Sequence, residues 1–210
     1  MNCDSTRHDN PERQMDRMIL IWVLAATVLL GYLRGGRLSN YLHAPLRGVL
    51  LPVLAFALEA AIPLWQRLFG DASNWLAAEV LAQYALLFLF CFLNRKHRLA
   101  AILIALAGGC NLAAMAANGF RMPVSPVIYD NALFEGFIVD VQSGWLCEYV
   151  LVEYGAPLWF LGDTIPVTIL SPGVASVGDF LLAAGVLVLV QRLMLQTAPP
   201  QAGPSAPADP

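Results

Sequence analysis

The sequence predicts an all-α, polytopic membrane helix bundle of about five transmembrane helices. Two features of the composition point to this class. Of the 210 residues, 58% are hydrophobic and only 13% are charged, which is about half the charged fraction of an ordinary soluble domain. The mean hydropathy is +0.63. The third observation is the pattern, because the apolar residues fall into five long runs separated by polar segments.

Each run is close to the length of about 20 residues that crosses a bilayer. The predicted spans are residues 18–33, 49–65, 75–93, 99–117 and 177–195. The first run is the shortest, and arginines at both of its ends can snorkel to extend it. A cleaved signal peptide is the alternative for this run, but no small-x-small cleavage site follows it. The last run begins with the letters SVGD, which match a capping box.

Residues 18–195 are therefore predicted to form one transmembrane domain between two disordered tails. The N-terminal tail, residues 1–17, is polar and mixed in charge. The C-terminal tail, residues 196–210, is rich in Pro, Ala, Ser and Gly, a composition that is typical of disordered chains.

The long connection at residues 119–175 is predicted to form a cap at the outer membrane surface. It holds six acidic residues and nine aromatic residues against one basic residue, Arg121. Aromatic rings favour the membrane–water interface. Within the cap, residues 145–161 are predicted to form an interfacial or re-entrant helix, because Glu148, Glu153 and Pro157 interrupt the segment too often for a span.

The distribution of Lys and Arg favours an N-terminus outside and a C-terminus inside. In this orientation seven basic residues lie in the inside segments and five lie outside, as the positive-inside rule prefers. The cluster NRKHR at residues 94–98 makes the strongest single contribution. The segment GGRLSN, residues 35–40, then lies inside and far from Arg121.

Polar residues at the end of the fourth run form the first candidate site. Asn111 and Asn118 are seven residues apart, so we expect them to share a helical face. The alanines around them allow another helix to approach closely. Gly119 and Pro123 are expected to end the helix. This leaves Arg121 at the membrane edge, where it either snorkels or pairs with a carboxylate of the connection, or binds a carboxylate or phosphate ligand with its planar fork. As the only base in a net-negative segment, it favours an internal pair over a free anion site.

Two aspartates complete this candidate cluster. Asp163 is expected in a turn, and Asp179 lies in the first turn of the last span. Both are predicted to lie at the same membrane edge as Arg121. The cluster either binds a ligand or is structural. In the structural alternative the asparagines join helices, Arg121 is an interfacial arginine, Asp163 stabilises a turn and Asp179 caps a helix. Its members are Asn111, Asn118, Arg121, Asp163 and Asp179.

Carboxylates inside the predicted spans form a second candidate set. Glu79 and Gln83 are four residues apart and face the same way, and Glu59 lies in the preceding span. A carboxylate inside a membrane run indicates function by default, because its exposure to lipid is expensive. The alternative is an interfacial position, since Glu59 and Glu79 both lie near the ends of their runs.

Several other functions have no support. The four cysteines form no CxxC pair, and the three histidines lie in polar flanks, so we expect no metal site and no cofactor. No phosphate-binding, dinucleotide-binding or hydrolase motif is present. The net charge of −3 and the lack of a basic patch exclude nucleic-acid binding.

Four motifs resemble one family when taken together. They are GGRLSN, NLAAMAANGFRMPVS, FLGDTIP and SVGDFLLAAG. In this order they resemble bacterial membrane proteins grouped as domain of unknown function 5317. The resemblance covers about residues 18–195. It implies a multi-spanning protein of the bacterial cytoplasmic (inner) membrane and transfers no catalytic role.

The sequence therefore favours a non-enzymatic binding, transport-accessory or assembly subunit. Its outer polar cluster would hold a lipid headgroup or a small polar ligand, or would contact a partner. Membrane lipids are the expected partners, with another membrane protein or a second copy of the chain beside them. The alternative is a membrane-embedded enzyme or transporter that uses Glu79 or Asp163 as a proton-handling carboxylate.

Overall fold

The computed structural model describes residues 15–43, 46–70, 74–168 and 173–196. Most of both predicted tails therefore lies outside the described residues. Within the described ranges the protein is mostly helical, as the sequence predicts. The helices are α1 (Met15–Leu33), α2 (Leu50–Ala60), α3 (Ile62–Phe69), α4 (Leu76–Leu93), α5 (Arg98–Ala117), α6 (Glu135–Gln142) and α7 (Val177–Met194).

The apolar runs of the sequence coincide with helices. Three of them, α4, α5 and α7, are long and apolar enough to cross a membrane. Only 28–33% of the residues in their most apolar windows are buried within the protein. The remaining apolar side chains face outwards, as they do when lipid surrounds a helix. In α1 the apolar stretch Trp22–Leu33 is shorter.

The second apolar run, predicted as a span near residues 49–65, is a pair of helices with a break between them. The axes of α2 and α3 differ by 49°, and the break falls at Ala61. Pro63 lies at the start of α3. It lacks an N–H, and its ring would clash with the carbonyl of Glu59 in a continuous helix. If the bent pair counts as one span, four helices can cross a membrane.

The five long segments pack as a row in the order α1, α7, α5, α4 and α2. Glycines allow the closest approach within this row. A Cβ at residue 185 in α7 would lie 2.6 Å from Cγ1 of Ile104 in α5. Small residues at such crossings let two helix backbones approach each other. α1 also packs against α7.

The cap contains short strands beside α6. The strands are β1 (Met122–Val124), β2 (Tyr149–Leu151), β3 (Ile165–Val167) and β4 (Gly173–Ala175). β1 pairs with β2 in parallel, and β3 pairs with β4 antiparallel. An isolated parallel bridge joins Val124 to Asp163. The cap is therefore a small α/β layer at one end of the bundle.

The prediction of a helix over residues 145–161 is wrong. Tyr149 to Leu151 form β2 instead, where aromatic and β-branched residues fit well. Gly155 has a φ of +95° and Leu158 a φ of +53°, and neither angle continues a right-handed helix. Pro157 between them removes a backbone donor. A single 3₁₀ turn at Trp159–Leu161 is all the helical structure that the segment contains.

Candidate functional site

The bundle has two chemically different ends. The first holds the cap, the end of α5 and the beginning of α7, and we call it the cap end. At the other end the side chain of Asn40 donates to the carbonyl of Met194 at 2.7 Å. The N–H of Arg37 donates to the same carbonyl at 3.0 Å. The segment GGRLSN thus caps the last turn of α7, opposite Arg121.

Asn111 joins α5 to α7 at the cap end. Its Nδ2 donates to Oδ1 of Asp179 at 3.2 Å, and its Oδ1 accepts from Oγ of Ser176 at 3.0 Å. Ser176 and Asp179 also form the capping box that the sequence predicts. All three polar groups therefore bond one another at the start of α7, which satisfies donors that the helix leaves unpaired.

Gly178 makes this contact sterically feasible. A Cβ at residue 178 would overlap the side-chain oxygen of Asn111 and would lie 2.9 Å from the carbonyl of Ala107. Glycine is the residue whose missing side chain lets α5 come this close. The sequence pattern SVGD thus supplies both a helix cap and a helix crossing.

Tyr84 of α4 lies beside this crossing, and no pattern in the sequence indicates that it belongs there. Its hydroxyl lies 3.7 Å from Sδ of Met115 and interacts with the side chain of Asn111. The charges of Asp163 and Asp179 both act on the hydroxyl. Asn111, Ser176 and Asp179 therefore form one polar region at the crossing of α5 and α7, with Tyr84 of α4 beside it.

Asn118 does not belong to that region. The prediction that it shares a helical face with Asn111 is wrong, because its φ of −122° and ψ of 37° place it outside the helix. Its Nδ2 donates to the carbonyls of Ala114 and Pro157, at 2.8 Å each. Asn118 thus ties the end of α5 to the cap.

Asp163 is buried, with 5% of its surface exposed. Its backbone N–H donates to the carbonyl of Pro123 at 2.9 Å, and its carbonyl accepts from the N–H of Ser125 at 3.0 Å. A Cβ at the preceding Gly162 would overlap the carbonyl of Pro123. Asp163 is therefore part of a strand-like contact with β1 rather than of an open turn.

Arg121 is positioned by a left-handed turn at the end of α5. Gly119 has a φ of +69°, as the sequence predicts for a residue that ends a helix. Phe120 also has a positive φ, of +60°, which is strained for an aromatic residue. Its ring packs against the apolar cluster that contains Ile62 and Cys147. That packing holds the turn and fixes where Arg121 leaves the helix.

Arg121 lines a cleft of about 420 Å³ between α3 and the cap. We call it the Arg121 cleft, and its lining residues are Gln66, Gly70, Arg121, Val141, Gly144, Leu146, Cys147 and Tyr149. The side chain of Gln66 donates to the carbonyl of Gly144 at 2.9 Å and closes one side. The ring of Tyr149 is held edge-to-face against Phe137, with ring centroids 5.2 Å apart.

The thiol in this cleft is not activated. Burial and the charge of Glu148 together raise the pKa of Cys147 to about 11, although the charge of Arg121 acts to lower it. The thiol therefore stays protonated at neutral pH, whereas a catalytic cysteine needs a thiolate. Among the described residues no group of three or more His, Cys, Asp or Glu side chains is arranged to hold a metal ion.

The carboxylates of the second candidate set, Glu59 and Glu79, lie close to the same end. Gln83 of α4 donates to Oε2 of Glu59 in α2 at 2.9 Å. Glu79, one turn before Gln83, is buried in the first turn of α4. Neither of its carboxylate oxygens has a hydrogen-bond partner in the described part of the chain.

The cleft was not predicted, although Arg121 was. Gln66 and Gly144 are 78 positions apart, and no pattern in the sequence relates α3 to the segment before β2. The two glycines of the cleft, Gly70 and Gly144, are visible in the sequence, and in the structure both adopt a positive φ, of +71° and +73°. Two such glycines mark sharp turns, but a turn does not reveal what it faces.

The fold and the site define a class: a small, mostly helical protein with apolar helices able to cross a membrane and a polar cleft at one end. The model of the family of unknown function DUF5317 matches residues 43–191. The chain belongs to this family. Comparison with curated proteins and with solved structures finds no match.

Proposed function

We propose that this protein is a membrane-embedded binding protein that holds an anionic group in the Arg121 cleft. The observation that carries the proposal is the cleft itself. Its volume of about 420 Å³ falls within the range of small-ligand sites, about 300–1,000 Å³. A guanidinium in its wall suits a phosphate or carboxylate, since it offers two parallel donors to such a group.

The rest of the lining suits a compact headgroup. Gly70 and Gly144 have no atom within 4 Å of the place where a Cβ would stand, so their backbone is open to a ligand. Tyr149 adds an aromatic wall with a polar tip. An anion bonded by Arg121 would therefore contact the ring of Tyr149 and the exposed backbone at Gly70 and Gly144.

A lipid is the source that the surroundings favour. Leu68 and Phe69 precede Gly70 in α3, and both are exposed, at 63% and 60%. Acyl chains beside these side chains would keep the headgroup of the same lipid next to the cleft. A free phosphate or carboxylate compound has the same chemistry and reaches the cleft from water.

The proposal includes a place in the membrane. We propose five spans of the bacterial cytoplasmic membrane, formed by α1, the α2–α3 pair, α4, α5 and α7. The helix α1 is long enough for this, at about 28 Å for a rise of about 1.5 Å per residue. The N-terminus and the cap lie outside, and the basic residues at the other end lie inside. A binding or assembly subunit of this kind would present its occupied cleft to a partner on the outer surface.

The test compares two arginines at the same end of the bundle. Arg121 lines the cleft, whereas Arg67 is exposed in the last turn of α3 and does not line it. Wild type, Arg121→Gln and Arg67→Gln are purified in a neutral detergent. Each is titrated with short-chain phosphatidylglycerol, with inorganic phosphate and with short-chain phosphatidylcholine, and the thermal midpoint is followed.

We expect the anionic lipid to raise the midpoint of wild type and Arg67→Gln and to leave Arg121→Gln unchanged. A response to phosphate as well would identify a soluble anion as the ligand. Equal shifts in all three proteins, or equal shifts with both lipids, would overturn the proposal.

A further inference from the structure

Glu79 is a buried acid without a partner. It lies in the first turn of α4 with 8% of its surface exposed. Both carboxylate oxygens are almost completely inaccessible and have no hydrogen-bond partner among the described residues. Such a group is uncommon, because buried polar atoms in native proteins are nearly always hydrogen-bonded.

The charged groups that face Glu79 are also acids. Glu59 of α2 and Glu148, just before β2, both act on it electrostatically. Gln83 on the same face of α4 bonds Glu59. From α5, Leu112 and Met115 pack in the apolar cluster that contains Leu76 and Val80, the residues on either side of Glu79 in α4.

A negative charge on Glu79 would therefore be unfavourable from every side. A buried carboxylate without a partner loses its hydration and gains nothing in return. Two neighbouring carboxylates add repulsion. A cationic ligand could relieve both effects, but the oxygens are sealed from anything of the size of an ammonium group. A proton is the one cation small enough to reach them.

The cluster around Glu79 adjoins the Arg121 cleft. Cys147 packs with Leu76 and Val80 in that cluster, and it also lines the cleft. Glu148 follows it in the chain. Cys147 therefore belongs both to the cluster that contains the neighbours of Glu79 in α4 and to the lining of the cleft.

We propose that the carboxyl group of Glu79 is a proton-binding site inside the bundle, which exchanges its proton with the Arg121 cleft past Cys147 and Glu148. The ligand is the proton itself, and the step is a transfer between the carboxyl oxygen and water in the cleft. The proposal rests on the position of the cleft and not on the anion that it binds.

Infrared difference spectroscopy across a pH titration tests the proposal. A protonated carboxylic acid has a carbonyl band that disappears on ionisation. Wild type, Glu79→Gln, Glu59→Gln and Glu135→Gln are compared in lipid, with Glu135 as an exposed control in the first turn of α6. We expect a titrating band at the high frequency of a carboxyl group without hydrogen bonds in wild type and in Glu135→Gln, and the loss of that band in Glu79→Gln.

Removal of the charge at Glu59 should move the disappearance of the band to lower pH, because a like charge no longer opposes ionisation. A neutral site that never exchanges would give a band that does not titrate. That result, or a titrating band that persists in Glu79→Gln, would overturn the proposal.

A second measurement on wild type covers the case in which Glu79→Gln does not fold. A carboxylic acid that exchanges its proton with water takes up deuterium in D2O, and its carbonyl band then moves to lower frequency. Because neither oxygen of Glu79 has a hydrogen-bond partner among the described residues, its band lies above those of hydrogen-bonded acids. We expect that band to shift in D2O, and a band that keeps its frequency would contradict the proposal.

Discussion

The side-chain amide of Asn111 donates to the carboxylate of Asp179 at 3.2 Å, which links the end of α5 to the first turn of α7. Ser176 bonds both residues. A helix cap and a helix–helix contact therefore share the same three side chains. Loss of any one of them affects both the start of α7 and its packing on α5.

Asn111→Leu should destabilise the protein by about 0.6–2 kcal/mol, the range of a buried interhelical hydrogen bond and of a bond to a charged group. Thermal unfolding in lipid nanodiscs measures the change. The double variant with Asp179→Asn should show coupling, because the two residues contact each other. Strictly additive effects would mean that the bond contributes nothing.

Gly178→Ala should destabilise the protein by about 1–3 kcal/mol, the usual range for an overpacked core. The added Cβ would overlap the side chain of Asn111. Gly109→Ala is the matched control, because no atom lies within 4 Å of that Cβ and alanine favours a helix by about 1 kcal/mol. The two unfolding midpoints should therefore move in opposite directions. If both variants unfold at the same temperature, the two backbones do not approach as described.

His97 should make the protein less stable in acid. It is buried between α4 and α5, outside the candidate spans. Burial, followed by the charges of Lys96 and Arg192, lowers the pKa of its imidazole. The folded state then binds fewer protons than the unfolded state, so stability is full above the unfolded pKa near 6.5 and is lost as the pH falls through the folded pKa.

The thermal unfolding midpoint of wild type, measured from pH 8 to pH 5, should stay constant down to about pH 6.5, the usual pKa of histidine. Below that pH the midpoint should decrease. His97→Gln should remove part of that fall, since glutamine does not titrate. A wild type and variant with parallel pH profiles would show that His97 is freely protonated in the folded protein.

Tyr129→Phe should loosen the cap. The tyrosine hydroxyl lies 2.9 Å from the carbonyl of Val124 and 2.8 Å from that of Val152, so it bridges β1 and the end of β2. Its loss should cost about 1 kcal/mol, the usual net contribution of a hydrogen bond. Hydrogen exchange at the amide of Val152, which donates to Val124, should become several-fold faster. Unchanged exchange there would contradict the bridging role.

Tyr129 also sets an expectation for high pH. Burial and the charge of Glu153 raise the pKa of its hydroxyl, and its hydrogen bond to Val152 reduces that shift. The bridge is therefore retained below the pKa of an unfolded tyrosine, about 10, and its contribution is lost as the pH rises through the folded value.

The helices α4, α5 and α7 were predictable because each coincides with an apolar run of the length that crosses a bilayer. The end of α5 and the cap of α7 were predictable because Gly119, Ser176 and Asp179 determine local geometry. Pro63 indicated a disturbance of the helix near Ala61. A proline kinks some helices and ends others, so the sequence did not show which of the two occurs here.

The cap and the cleft were not predictable in the same way. The segment at residues 145–161 has the apolar content of a helix, and only its pairing with β1 decides for a strand. That pairing is non-local, and β-propensity depends on such context. Arg121 was found as an isolated base, whereas Gln66 and Tyr149 reach it only through the folding of distant segments.

Native mass spectrometry of the protein, taken from its own membrane into nanodiscs, tests the central claim most directly. The account predicts a discrete adduct with the mass of an anionic molecule on wild type and on Arg67→Gln, and none on Arg121→Gln. An adduct that survives in Arg121→Gln, or a wild type that is empty like the variant, would contradict the claim that the Arg121 cleft binds an anion.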